Sequence, residues 1–363
     1  MARPMDEDET IVKLQGRSQT LYRRDHIKAD GRSVSLYGFT SPSGLTGLEL
    51  VGLGNHRSEL RRDPLRNTWA IYSPHRQSRT FMPARTADPL APWRAGCAPT
   101  EIPFSEFELA IFDNQFSSLQ TGDAGSVPSQ WASGPATGHC EVVVYTSESE
   151  GDLQSIGQER RVLLIEALID RYLSLFEGGA AYVLPFENRG QEVGVTLTHP
   201  HGQIYAFDIV PEPQAAASRA FASGYDLAAD HASWNGTFDI ASDDGFVAFS
   251  PPFARFPFET WIMPKQPCRG PWELGADDIH ALARILGDIP RRLDGLFGAP
   301  MPYMMSFQAA PREAGDEFQF TVQFFPIMRD ACRLKYLASV EQFTGVFTVD
   351  VVPEQAAERL RAL

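Results

Sequence analysis

The segment Thr196–Phe207, TLTHPHGQIYAF, places His199 and His201 on either side of a single proline. In extended backbone the side chains at i and i+2 share a face, and Pro200 fixes its own φ while biasing His199 towards β or polyproline geometry. Gly202 allows a turn or the close approach of a ligand. Gln203 carries two amide donors and a carbonyl acceptor. Such a cluster can aim an imidazole nitrogen at an electrophile, with an amide beside it to hold an anionic oxygen. Two histidines satisfied within a sheet, or half of a metal site, would show the same spacing. Ser73–Arg79, SPHRQSR, carries Arg76 and Arg79 close enough to clamp a phosphate, because guanidinium pairs well with phosphate oxygens. Without other support, two arginines in a loop read as solvated surface. Phe186–Gly194, FENRGQEVG, sets Asn188 and Gly194 in a loop whose backbone amides suit an anion, a weak signal when taken alone.

The chain that must position these residues has 363 of them, with 32 Lys and Arg against 46 Asp and Glu and a formal net charge of −14. At 43% apolar and 21% charged residues it can bury a real core, which excludes wholesale disorder. The length suggests about two domains. The acidic balance argues against a general binder of nucleic acid or anionic membrane, while a local arginine cluster can still take a small anion. Cys97, Cys140, Cys268 and Cys332 form no C-x-x-C pair, so neither a disulfide framework nor a Cys-rich zinc module is expected. The acidic N-terminus and the lack of a long apolar run imply neither a secretory leader nor a membrane span, and a cytoplasmic protein is expected. None of the eight histidines follows His280, so the last 83 residues can supply no imidazole.

Residues 1–55 are polar and Gly-rich and read as an arm with one or two short strands. Strands are expected at WAIYS, FELAIFD, EVVVYT, AYVLPFEN and QIYAFDIV, with a helix over Leu153–Phe176 stopped by Gly178 and Gly179. The second half repeats the strand–helix–strand order. Strands are expected at GFVAFS, FETWIMP, MPYMMSFQ and EFQFTVQFF, with a helix from Asp277 that Pro290 kinks or ends. A final short helix starts at Pro353. In EFQFTVQFF the alternation puts Phe318, Phe320, Val322 and Phe324 on one face. Short strands with one long helix per half imply an α+β fold. The expected division is an arm over 1–55, a catalytic domain over 56–210 and a second domain over 211–363.

In order along the chain, RRDPL…SPHRQSR, FDNQFSSL, FENRG…HPHGQIYA, FPFETWIMPK and LKYL…E resemble the galactose-1-phosphate uridylyltransferase family of the histidine-triad superfamily, from about Glu59 to Leu363. The resemblance implies tandem histidine-triad-like domains, each an antiparallel half-barrel sheet with flanking helices, in a homodimer whose sites borrow residues from the partner. It implies exchange of UMP between UDP-glucose, or a related UDP-hexose, and galactose 1-phosphate, or another hexose 1-phosphate, through a uridylyl-histidine. His201 would be the nucleophile and Gln203 would hold the α-phosphate. Arg76, Arg79 and Asn188 would hold the phosphates, with Gly194 and Thr196 also binding substrate. Asn114 would lie near the nucleoside, and Lys335 and Glu341 where the family places second-subunit contacts to the hexose. A nucleotide-sugar phosphorylase or hydrolase, or a non-catalytic nucleotide-sugar-binding protein, are the alternatives.

The metal positions depart from that pattern. Many family members hold a structural zinc through a C-x-x-C pair, a distant histidine and the first His of HPH, whereas the matching residues here are Asp88, Ala91, Ser149 and His199. Structural zinc normally takes four protein ligands, so His199 and Asp88 read as remnants of the site and no zinc is expected to bind tightly. The second family metal uses a glutamate and three histidines, for which this chain has Ala217, Gln308, Thr321 and Gln323, and that metal is expected to be absent.

Overall fold

Short strands paired edge to edge form the centre of this molecule. The computed structural model describes residues 9–14, 19–52, 57–78, 88–121 and 133–363. The first half contains strands β1 (Glu9–Val12), β2 (Leu21–Ile27), β3 (Ser33–Gly38), β4 (Glu59–Asp63), β5 (Thr68–Tyr72), β6 (Leu109–Asp113), β7 (Ser133–Pro135) and β8 (Gly138–Val144), then helix α1 (Gln158–Glu177), β9 (Tyr182–Arg189) and β10 (His201–Phe207). The second half contains α2 (Glu212–Ala222), α3 (Leu227–Ser233), β11 (Asp239–Ser242), β12 (Phe246–Phe249), β13 (Thr260–Pro264), α4 (Ala276–Gly295), β14 (Tyr303–Gln308) and β15 (Thr321–Pro326). A hairpin of β16 (Met328–Asp330) and β17 (Arg333–Leu334) follows, with α5 (Ser339–Thr344) and α6 (Pro353–Arg361).

Twelve strands form one antiparallel sheet in the order β1-β2-β3-β6-β8-β10-β9-β14-β15-β13-β12-β11. Its two halves are wound alike. In the first, β3, β6 and β8 lie side by side, α1 follows, β10 pairs with β8, and β9 lies outside it; β11, β12, β13, α4, β15 and β14 repeat that path. The outer strands β9 and β14 then pair with each other, from Phe186–Ser306 to Arg189–Tyr303, and fuse the halves. This α+β architecture agrees with the expected fold class, and the repeat emerges in the winding rather than in residue identity.

Both long helices cover one side of the sheet, and the core runs unbroken across the seam, from Leu164 and Leu168 through Met305 and Phe324 to Ile285 and Leu286. They meet where Arg161 donates its Nε–H to the Ala283 carbonyl at 2.6 Å, beside Gly287, where a Cβ would come within 2.4 Å of the Arg161 guanidinium carbon. Helix α1 starts at Gln158 rather than Leu153. Asp152 and Ser155 form reciprocal backbone–side-chain bonds of 2.8 Å, and Gly157 at φ 83° turns the chain before the helix begins. Helix α4 runs through Pro290, held by the buried Ile285, Leu286, Ile289 and Leu293 on both sides of it.

The described residues 19–52 are more than an arm. β2 and β3 belong to the main sheet, Leu21, Val34, Leu36 and Tyr37 are buried, and Tyr37 donates its hydroxyl to Asp170 of α1 at 2.6 Å. The sequence implies one or two short strands here, but its alternating polar residues give no sign that they join the main sheet. Ala-rich α2 and the short α3 were likewise not anticipated. In the last expected strand, pairing starts only at Thr321, although Phe318, Phe320, Val322 and Phe324 are all buried as the alternation implied.

Candidate active site

Strand β10 sorts its residues by parity. Gly202, Ile204 and Ala206 are buried, whereas His201, Gln203 and Tyr205 stand on the more open face. There His201 and Gln203 line a pocket with Arg76, Asn114 and Thr196. Its apolar walls come from Leu50, Leu90, Phe112 and Val142, and Glu101 also reaches it. The pocket combines an imidazole, the three amides of Asn114, Gln115 and Gln203 and a guanidinium with an apolar slot, the composition expected where a small polar ligand is oriented.

The protonation of His201 follows from its contacts. Its Nδ1 is 2.7 Å from the His199 carbonyl oxygen, which can only accept, so Nδ1 carries the proton. Burial pushes the ring below its ordinary pKa, and the neutral form keeps its lone pair on Nε2. The geometry thus supplies a neutral imidazole with its second nitrogen available as a nucleophile or base.

Arg76 stands on the short turn Pro74–Ser78 and is fixed by donating to the Phe116 carbonyl, with the Tyr205 hydroxyl 3.5 Å away. Asn114 accepts from the Phe116 amide at 2.8 Å, closing the turn after β6. Asn188 pairs across to Met304 of β14. The β9–β10 ladder ends at Phe186–Gln203, and Asn188 lies two residues beyond Phe186 just as His201 lies two before Gln203. Gly194 adopts a left-handed conformation, φ 84°, after the turn Gln191–Val193. Arg79 lies outside the described residues. Lys335 and Glu341 form a buried pair with each other at 2.5 Å, away from this pocket. Nothing in the sequence singles out Leu50, Leu90, Glu101, Phe112 or Val142: Leu50, Leu90 and Glu101 come from connecting segments without a motif, and apolar strand residues such as Phe112 and Val142 carry the same pattern whether they line a slot or fill a core. Glu101 is balanced by Lys28 and Arg32, each 2.7 Å from its carboxylate.

His199 does not share the pocket with His201. Its ring is buried, with Nδ1 2.7 Å from Asp88 and Nε2 donating to the Thr146 carbonyl at 2.8 Å. Burial works against ionisation of Asp88, but the bonds from His199 and the Leu90 amide outweigh it and hold its carboxyl below the usual range. Asp88, Ala91 and Ser149 line one groove, so the chain does bring the positions matching the family's zinc ligands together. These residues do not fit zinc. Ala91 offers no ligand atom, and both nitrogens of His199 are engaged by protein. At the second family position Gln308 accepts from Gln214 at 3.2 Å and from Tyr182 at 3.3 Å and donates to Ser306 at 2.8 Å, while Gln323 donates to Thr321 at 3.1 Å. This set of neutral amides and hydroxyls does not fit a metal either. Among the described residues no group of three or more His, Cys, Asp or Glu is arranged to hold one.

Comparison with known proteins places the chain among uridylyltransferases. The solved "Structure of uridylyltransferase" superposes with a TM-score of 0.75 at 27% identity, covering 84% of this chain and 97% of that one. An ADP-glucose phosphorylase from Arabidopsis thaliana shares the fold, with a TM-score of 0.63 at 21% identity over 84% of this chain and 99% of its own. The galactose-1-phosphate uridylyltransferase of Thermotoga maritima is 35% identical over 84% of this chain and 98% of its own length. That of Streptomyces lividans is 30% identical over 84% and 86%. Residues 52–211 match the family model "Galactose-1-phosphate uridyl transferase, N-terminal domain" and residues 237–363 the model for its C-terminal domain. With both family models matched and relatives at 30–35% identity along most of its length, the chain belongs to the galactose-1-phosphate uridylyltransferase family.

Proposed function

We propose that this chain is a nucleotidyltransferase that moves UMP between UDP-glucose and galactose 1-phosphate through a uridylyl-His201 intermediate. The observation that carries the reading is the His201 tautomer, with Nδ1–H tied to the His199 carbonyl and Nε2 free to attack. The Nε2 lone pair forms a bond to the α-phosphorus, and the bond from that phosphorus to the bridging oxygen breaks. Glucose 1-phosphate leaves as a stable phosphate, so no acid needs to protonate it. A phosphate oxygen of galactose 1-phosphate then forms the new P–O bond and the N–P bond breaks, restoring the imidazole. Catalysis is mainly in-line positioning and charge neutralisation. Gln203 holds a non-bridging oxygen of the α-phosphate, Arg76, Arg79 and Asn188 the phosphates, and Gly194 and Thr196 the neighbouring substrate atoms, with Asn114 near the nucleoside. Lys335 and Glu341 serve the hexose site of a second subunit in a homodimer. The boundary between the two domains falls near residue 210, and the enzyme works in the cytoplasm. Among the described residues no helix is long and apolar enough to cross a membrane.

Incubation with UDP-glucose alone should add the mass of UMP to the protein, and His201→Ala should abolish that gain. An adduct discharged faster by galactose 1-phosphate than by inorganic phosphate or water supports the transferase. Faster discharge by phosphate or water would instead make it a phosphorylase or a hydrolase. Binding of UDP-glucose without any adduct would make it a binding protein.

A further inference from the structure

Glu187 of β9 is buried, 5% exposed, and the reaction above makes no use of it. Its carboxylate accepts from two tyrosines: Tyr145 donates to Oε2 at 2.8 Å and Tyr303 donates to Oε1 at 2.9 Å. The nearby cation, Arg189, is committed elsewhere, to Asp152 at 2.8 Å and Asp294 at 2.7 Å. Burial is the main reason its carboxyl is pushed up to about 7. A group this costly to ionise, set directly behind the pocket, calls for a role.

Tyr145 supplies it. This residue directly follows β8, and its backbone amide donates to the Pro200 carbonyl at 3.2 Å. Its hydroxyl sits against Gly202, where an added Cβ would lie only 2.4 Å from the oxygen. Pro200 and Gly202 are the two neighbours of His201. The tyrosine therefore grips the chain on both sides of the imidazole, from the buried face of β10, and Glu187 fixes the hydroxyl that does so. Tyr303 belongs to β14, so the same carboxylate ties this support to the second half of the sheet.

We propose that Glu187 and Tyr145 are positioning residues that hold the backbone around His201 in line with the phosphorus it attacks. The proposal rests on His201 being the nucleophile. A displacement of a reacting group by about 1 Å costs on the order of a hundredfold in rate, so loosening this support should slow attack more than it weakens binding.

The test is the single-turnover rate of adduct formation on the full-length protein, followed by rapid quench and intact mass across a range of UDP-glucose concentrations. Tyr145→Phe keeps the ring and removes the hydroxyl. Glu187→Gln keeps the shape and can still accept from Tyr145. The Phe variant should lower the limiting rate about tenfold or more while half-saturation moves less than about threefold, with Glu187→Gln between it and wild type. Limiting rates within about twofold of wild type in both variants would overturn the proposal, as would losses that fall wholly on half-saturation. A wild type that forms no adduct fails at the earlier step and refutes the nucleophile itself.

Discussion

Gly202→Ala is the sharpest test of how tightly the strand that carries His201 is held. The new Cβ would meet the Tyr145 hydroxyl oxygen at 2.4 Å, the Phe186 carbonyl oxygen at 2.9 Å and the Tyr145 Cζ at 3.2 Å. Ordinary contact needs about 3.4 Å or more, so the strand or the ring must give by about 1 Å. The ring cannot swing away freely, because Tyr145 is buried and its hydroxyl is bonded to Glu187. Overpacking of this kind costs about 1–3 kcal/mol. At about 2.1 cal/mol/K per residue, a chain of 363 residues moves its Tm by about 1.3 °C per kcal/mol, so a fall of about 1–4 °C is expected. The same displacement carries His201 with it, and the limiting rate of adduct formation should fall by about tenfold to a hundredfold. Tyr145→Phe added to Gly202→Ala removes the 2.4 Å contact and leaves the other two. The double variant should therefore recover part of the lost Tm, with a coupling of about 0.5–3 kcal/mol by scanning calorimetry. Additivity within about 0.5 kcal/mol, or an alanine variant with wild-type Tm and rate, would show that the Tyr145 hydroxyl does not press on the strand at Gly202.

Asp88→Ala leaves one ring nitrogen of the buried His199 without its hydrogen-bond partner and should cost about 1–3 kcal/mol. Because the Asp88 carboxyl is held low, its contribution is present above about pH 4 and is lost as pH falls through the lower folded value; melting curves of wild type and Asp88→Asn should converge in acid, and a constant gap would exclude the pairing. Glu187 has the opposite sign. Raised from 4.5 to about 7, its protonated form is favoured by folding, so the contribution is full below about pH 4.5 and is lost as pH rises through 7, worth about 3 kcal/mol. Wild type should thus lose stability relative to Glu187→Gln between pH 5 and 8 on the order of that amount, and parallel profiles would contradict the buried ionisation. Purified protein should carry well under stoichiometric zinc, and a chelator should leave adduct formation and Tm unchanged; near-stoichiometric zinc whose removal lowers either would show that the groove at Asp88, Ala91 and Ser149 does hold the metal.

Local chemistry was legible in the residues themselves. His201, Gln203, Arg76, Asn114 and Thr196 carry functional groups that stand out of any pattern, and the structure gathers all five at one pocket. The alternation along β10 and the apolar spacing of α1 and α4 likewise encode which face is buried, because the periods of strand and helix are set by backbone geometry. The apolar lining was illegible for the same reason. Phe112 and Val142 look the same in sequence whether they bound a slot or fill a core, and which they do depends on strands brought together from distant parts of the chain.

The separation of the two histidines also required three dimensions. Sequence places them on one extended face, but Asp88 and the Thr146 carbonyl take up His199, while its own carbonyl sets the proton on His201. A tautomer is decided by the partner across a hydrogen bond, and such partners come from tertiary contacts. So do Glu187 and Tyr145, which are 42 residues apart in sequence and meet only because β8, β10 and β9 lie side by side. Residue type and spacing therefore determined which groups were available for phosphoryl transfer. Strand pairing across the sheet determined which imidazole faces the pocket, which nitrogen keeps its lone pair and what stands behind it, because those depend on distances between segments that no local pattern encodes.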